Sequence, residues 1–248
     1  MAFEDKVALV TGGSSGIGLA IARELAAGGA RVIITGRGQA RLDAALETIG
    51  NGASAIRGDV SQLSDHAALF AQVARDHGRI DVLVANVGVG EIAPLGAITE
   101  AAYDRMFNTN VKGVLFTIQH SLPLMREGSA VVIVGSTASM DPGPGLSVYG
   151  ATKAALRNMV RSWILDLKGR GIRINVLSPG PVNTQSLRGI FPSPEEAEAA
   201  LSYLNERSTI GRIGEPEEIA RAVAFLASDA ASYINGVELF ADGGASQV

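Results

Sequence analysis

The sequence predicts an α/β protein: one doubly wound domain, with a seven-stranded parallel sheet carrying helices on both faces. Three observations lead there. Seven short runs rich in Val and Ile lack polar alternation, as strands covered on both faces do. Longer amphipathic stretches at helical spacing lie between them, and such alternation builds a parallel sheet through right-handed crossovers. The first run leads into a glycine-rich loop directly ahead of a helical pattern.

In chain order, the strand-like runs are KVALVTG (6–12), RVIITG (31–36), SAIRGDV (54–60), DVLVANV (81–87), AVVIVGS (130–136), IRINVLSPG (172–180) and VELFADG (237–243). Helical patterns cover 17–27, 41–49, 63–77, 100–126, 148–168 and 215–227. The one long irregular stretch, 179–214, holds Pro179, Pro181, Pro192 and Pro194, then the polar helical segment PEEAEAALSYLNER. Long insertions in compact domains carry function more often than not, and this one follows the C-terminal end of a strand, where open α/β sheets bind ligands. It is expected to form a substrate lid over 184–212. No repeat or interdomain linker divides the chain, so the whole of 1–248 reads as one domain.

Composition narrows the classes. Hydrophobic residues make up 47% of the 248 residues, enough for a large core. The net charge of -4 leaves no basic footprint for nucleic acid. With no cysteine, disulfides, thiolate catalysis and Cys-ligated zinc are excluded. The start, MAFEDKVALV, has no basic segment before a long apolar run, and no stretch approaches the ~20 apolar residues of a membrane span. A soluble, cytoplasmic protein is expected. His66, His77 and His120 show no ligand spacing, so no metal is expected.

The loop TGGSSGIG (11–18) sits at the first strand–helix junction. Its glycines permit a sharp turn and close approach to a pyrophosphate, while the new helix points unpaired N–H groups and a positive dipole end at the anion. Gly12, Ser14, Ser15, Gly16, Ile17 and Gly18 are therefore candidate dinucleotide contacts. The second strand run ends at Gly36-Arg37, where an acid would favour the ribose hydroxyls of NAD. A guanidinium suits a 2′-phosphate instead, so NADP(H) is favoured over NAD(H), with Ser14 and Arg41 as helpers. Asp59-Val60 closes the third strand run, where adenine can lie; Asp59 serves equally as a cap.

TGGSSGIG, Asn86-Val87-Gly88, Asn110, Ser136, Tyr149-x-x-x-Lys153 and Pro179-Gly180 together resemble the classical short-chain dehydrogenase/reductases, in order and spacing, over nearly the whole chain. One departure is Val87, where the family usually has Ala. The resemblance implies a Rossmann-type carbonyl–alcohol oxidoreductase. It makes Tyr149 the general acid in reduction and base in oxidation, with Lys153 holding the nicotinamide ribose and lowering the Tyr149 pKa. Ser136 would bind the substrate oxygen and Asn110 a relay water behind Lys153. Asn86 and Gly88 would line the cofactor cleft, Pro179 and Gly180 would approach the nicotinamide, and Val182 and Thr184 would lie near its carboxamide. Family members are commonly homotetramers; a homodimer is the other expectation.

The chemistry has its own logic. Hydride transfer to a carbonyl builds negative charge on oxygen, which needs a donor and then a proton. A free tyrosine has a pKa of about 10, and bringing it near 7 takes roughly 4 kcal/mol of differential interaction. Tyr149 and Lys153 share a helix face, so the ammonium can supply part of that, whereas burial pushes the phenol the other way. Ser136 has a bland reading as a turn cap, and Asn110 as a satisfied core amide. Asp141 and Asp166 read as turn and helix-surface residues. The competing functions are an NAD-linked dehydrogenase of sugars, polyols or steroids, and a non-catalytic nucleotide sensor on the same fold. Gly36-Arg37 speaks against the first, and Ser136, Tyr149 and Lys153 together against the second. The partner is a small carbonyl or alcohol, met by a partly apolar pocket with Leu187, Ile190, Phe191, Leu201 and Tyr203.

Overall fold

The computed structural model describes residues 2–191 and 193–247; of the insertion's prolines, Pro192 lies outside the described residues. Seven strands form one wholly parallel sheet: β1 (Val7–Thr11), β2 (Arg31–Gly36), β3 (Ser54–Arg57), β4 (Val82–Ala85), β5 (Ala130–Val134), β6 (Arg173–Pro179) and β7 (Glu238–Ala241). Their order is β3-β2-β1-β4-β5-β6-β7. Chain direction across the sheet reverses between β1 and β4, and the crevice at that switch point is where this architecture binds ligands. The expectation of a doubly wound seven-stranded sheet is met.

The helices are α1 (Gly16–Ala27), α2 (Gln39–Ile49), α3 (Leu63–His77), α4 (Glu100–Phe107), α5 (Val114–Ser121), α6 (Ser147–Asp166), α7 (Gln185–Arg188), α8 (Pro194–Arg207) and α9 (Pro216–Ala227). One core layer joins α1, α2 and α9 to one sheet face through residues such as Ile21, Leu25, Leu42 and Val223. The other joins α3, α5 and α6 to the opposite face through Phe70, Val73, Ile118 and Leu156. Strands β1, β4 and β5 are buried along their whole length, which is why they read as unbroken apolar runs.

Three expectations need correcting. The helical pattern over 100–126 is not one helix. It runs as α4, a π-helical segment over Asn108–Gly113, α5, and a 3₁₀ turn at Leu122–Leu124 with Pro123 inside it. β3 stops at Arg57 rather than at residue 60. Gly58 N–H still bonds the Gly36 carbonyl, but the Asp59 carboxylate then accepts from Ser61 N–H and Oγ and turns the chain toward α3. β5 ends at Val134, two residues before Ser136. His66, in α3, is 1% exposed, bonded to the Val60 carbonyl and packed on Phe70 and His120. Among the described residues no helix is long and apolar enough to cross a membrane.

Candidate active site

The glycine loop leaves β1 and enters α1 with positive φ at Gly12 (66°) and Gly16 (52°), a region that side chains other than glycine's rarely occupy. At Gly18 the constraint is space. A Cβ there would run into the Gly12 carbonyl oxygen and the Asn86 amide. Asn86 braces this loop: its N–H donates to Thr11 Oγ1 (3.0 Å) and its Nδ2 to the Thr11 carbonyl (3.0 Å). Val87, larger than the residue usual in the resemblance, packs beside Gly12.

From this loop a cavity of about 920 Å³ runs across the C-terminal rim of the sheet. Its lining takes in the candidate cofactor contacts Gly12, Ser14, Ser15, Gly16, Ile17, Gly18, Arg37, Asp59, Val60, Asn86, Gly88, Pro179, Gly180, Val182 and Thr184. It also takes in Ser136, Tyr149 and Lys153. Arg37 and Arg41 lie at the loop end of the cavity, with Arg37 exposed just past β2. Pro179 ends β6, and Gly180 presses against Asp242, leaving no room for a side chain. Thr184 caps α7 by accepting from Leu187 N–H. A glycine cradle ahead of a helix N-terminus, followed by a rim of small residues, fits a dinucleotide.

Tyr149 and Lys153 lie on one face of α6, with Nζ 5.7 Å from the phenol ring centroid. Lys153 is 3% exposed and donates to the Val134 carbonyl at 2.9 Å. Burial lowers its pKa from the usual 10.5 to about 8. Two glycines make this packing possible: Cβ atoms at Gly88 and Gly90 would press on Lys153 Nζ and on the Tyr149 ring. Burial also dominates at Tyr149, pushing its phenol above the usual 10.0, while the hydrogen bond with Ser136 acts in the opposite direction. The sequence-based expectation that Lys153 draws this phenol downward is therefore corrected here. Desolvation of the phenolate is the larger cause, the Ser136 hydrogen bond is the one that lowers the pKa, and the ammonium is itself desolvated.

Ser136 sits between β5 and a single 3₁₀ turn, Thr137–Ser139, and its Oγ caps that turn by accepting from Ala138 N–H at 3.2 Å. Its cap role and its contact with Tyr149 thus coexist. Asn110, in the π-helical segment, is fully buried. Its Oδ1 accepts from Val89 N–H (2.8 Å), and its Nδ2 donates to the Val89 carbonyl (2.8 Å) and to Thr152 Oγ1 (3.0 Å). Both amide donors of Asn110 are used within the protein, so this side chain has no N–H left to offer a relay water.

Sequence reasoning missed several groups. Glu238 on β7 accepts from Ser139 Oγ and Ser178 Oγ, each at 2.7 Å, and stands 2.8 Å from Arg157 Nε. It ties the turn after Ser136 to β6 and α6, and no local spacing announces it. Asp141 is more than a turn residue, because it lines the cavity and pairs with Arg207 at 2.7 Å. Gly90 was legible in NVGVG as a second small residue beside Gly88.

Fold and loop define a dinucleotide-binding α/β protein of the doubly wound class. The family model described as Enoyl-(Acyl carrier protein) reductase matches residues 12–246. Oxidoreductase asL5 of Sarocladium schorii is 41% identical over 245 residues, 98% of this chain and 96% of its own. Cis-4-hydroxycyclohexanecarboxylate dehydrogenase of Sinomonas cyclohexanicum is 39% identical over 252 residues, covering 100% of this chain and 99% of that one. Among solved structures, a short-chain dehydrogenase of Burkholderia cenocepacia in complex with NADP superposes with a TM-score of 0.90 at 34% identity, over 99% of both chains. The chain belongs to the classical short-chain dehydrogenase/reductases and is an oxidoreductase of that family.

Proposed function

We propose that the protein is an NADP(H)-dependent reductase of small-molecule ketones and aldehydes, running as an alcohol dehydrogenase in reverse. The observation that carries the reading is the meeting of Ser136, Tyr149 and Lys153 in one cavity continuous with the glycine cradle. The bound dinucleotide, when reduced, supplies a hydride to the carbonyl carbon. Ser136 Oγ donates to the carbonyl oxygen, and Tyr149 delivers its phenolic proton to that oxygen as negative charge develops. The phenol carries its proton at neutral pH, as an acid in reduction must, while burial, by raising its pKa, makes it the weaker donor. Lys153, with a pKa of about 8, is still cationic at pH 7 and favours the phenolate left behind. Asn110 holds the 86–90 loop against this pair through Val89.

The preference for NADP(H) rests on Arg37, with Arg41 beside it and no carboxylate at the end of β2; the NADP-bound relative agrees in kind. Residues 184–212 act as the substrate lid, with Leu187, Ile190, Tyr203 and Leu204 lining the cavity. The protein works in the cytoplasm, and a homotetramer would cover apolar groups such as Leu165 and Tyr233, both largely exposed. The test is Tyr149→Phe. NADPH binding, followed by nicotinamide fluorescence, should be retained, while ketone reduction falls by about 10²- to 10⁴-fold, the worth of a positioned general acid. Turnover at the wild-type rate would overturn the assignment.

A further inference from the structure

The cavity carries charge at both ends, and the two ends differ. At the glycine-loop end Arg37 and Arg41 line it. At the opposite end the ionised groups in the lining are Glu91, Asp141 and Arg207, and each has a partner. Glu91 pairs with Arg105 of α4. Asp141, in the loop following the Ser136 turn, pairs with Arg207, the last residue of α8, at 2.7 Å. Between them the walls are apolar, with Ile92, Leu146, Leu187, Ile190 and Leu204. Apart from Lys153 at the catalytic wall, and counting Arg105, which pairs with Glu91 from outside the lining, the substrate end holds two anions and two cations and is formally neutral. Among the described residues, the Asp141–Arg207 pair is also the one ion pair that joins α8 to the catalytic wall; Arg188–Glu198 stays within the insertion.

We propose that Asp141 and Arg207 form a specificity-determining gate: the pair holds α8 across the substrate mouth and, by cancelling charge there, selects uncharged carbonyl substrates over anionic ones. The inference rests on the carbonyl-reductase reading above. A guanidinium satisfied by a neighbouring carboxylate offers little to a substrate carboxylate, and the unpaired members of a mismatched pair repel or attract instead. The side chains are about 36% and 42% exposed, so the pair can open to admit substrate.

The test uses two ketones of similar shape, 4-methylcyclohexanone and 4-oxocyclohexanecarboxylate, with NADPH. Asp141→Asn frees Arg207 and should raise the ratio of kcat/KM for the anionic over the neutral ketone by about 10-fold, a charged hydrogen bond's worth. The double variant Asp141→Arg with Arg207→Asp restores a pair of opposite polarity and should bring the ratio back near the wild-type value. An unmoved ratio in Asp141→Asn, or a double variant that stays shifted, overturns the gate. Chymotryptic cleavage in α8 at Leu201, Tyr203 and Leu204, without ligand, reads the tether independently of turnover. It should be several-fold faster in Asp141→Asn and return toward wild type in the double variant. Equal cleavage in all three proteins overturns the gate whatever the substrate. A wild-type enzyme that binds NADPH yet reduces neither ketone nor any wider panel would instead sink the carbonyl-reductase reading, with the cleavage rates still deciding the tether.

Discussion

Lys153 lets the electrostatics of the site be measured as protein stability. Its ammonium is buried, with the Val134 carbonyl as its hydrogen-bond acceptor, and burial lowers its pKa from 10.5 to about 8. Between these values the unfolded chain holds a proton that the folded protein has released, so stability rises with pH through that window. The full gap, about 2.5 in pKa, corresponds to about 3 kcal/mol. That contribution is absent below about pH 8 and complete above about 10.5. Lys153→Met keeps the length of the stem and removes the titration. The free energy of unfolding of the variant minus that of the wild type should therefore shrink by about 2 kcal/mol between pH 7 and 9.5. Other groups titrate alike in both proteins and cancel in the difference. Urea unfolding followed by circular dichroism, at one protein concentration and three pH values, measures it. Two parallel stability curves across that range would refute the assignment of a desolvated, charge-shedding lysine.

Two further outcomes are expected. Arg37→Asp should weaken NADPH binding by about 10- to 100-fold, the value of a charged hydrogen bond to phosphate, and leave NADH binding unchanged or improved. Titrations with both cofactors check this, and equal affinities before and after would remove Arg37 from the phosphate site. Glu238→Gln should cost about 1–2 kcal/mol in urea unfolding, because Arg157 loses its charged partner while the Ser139 and Ser178 hydroxyls keep an acceptor. A loss in kcat without a change in cofactor affinity would accompany it if the Ser136 turn shifts.

The architecture was legible because burial leaves a local trace. Strands such as VALVT and AVVIV are covered on both faces and are apolar without interruption. The glycine loop was legible for a similar reason, since backbone that must approach an anion closely admits no side chain. The break in 100–126 left no such trace. Helical periodicity tolerates one inserted residue, and what pins the π-helical segment is Asn110 bonding to Val89, 21 residues away, and Thr152, 42 residues away. The sign of the shift at Tyr149 was also out of reach. Spacing puts an ammonium on the same helix face, but how deeply both groups are buried depends on Gly88, Gly90 and Ser136 from other segments.

These distant partners share one physical purpose. Each polar group that the proposed chemistry needs is held by a part of the chain remote from it: Lys153 by β5, Asn110 by the 86–90 loop and α6, and the turn after Ser136 by Glu238 from the far edge of the sheet. Buried polar groups without partners cost far more than exposed ones, so such a network is stable only when nearly complete. Completeness brings rigidity, and rigid donors aimed at a developing oxyanion need no reorganisation during the reaction. Asp141 and Arg207 stand apart from this rule. They are half exposed and pair across the mouth rather than beneath it, and an ion pair of that kind opens at small cost. The same fold thus keeps its proton-handling groups fixed while leaving the entrance free to move.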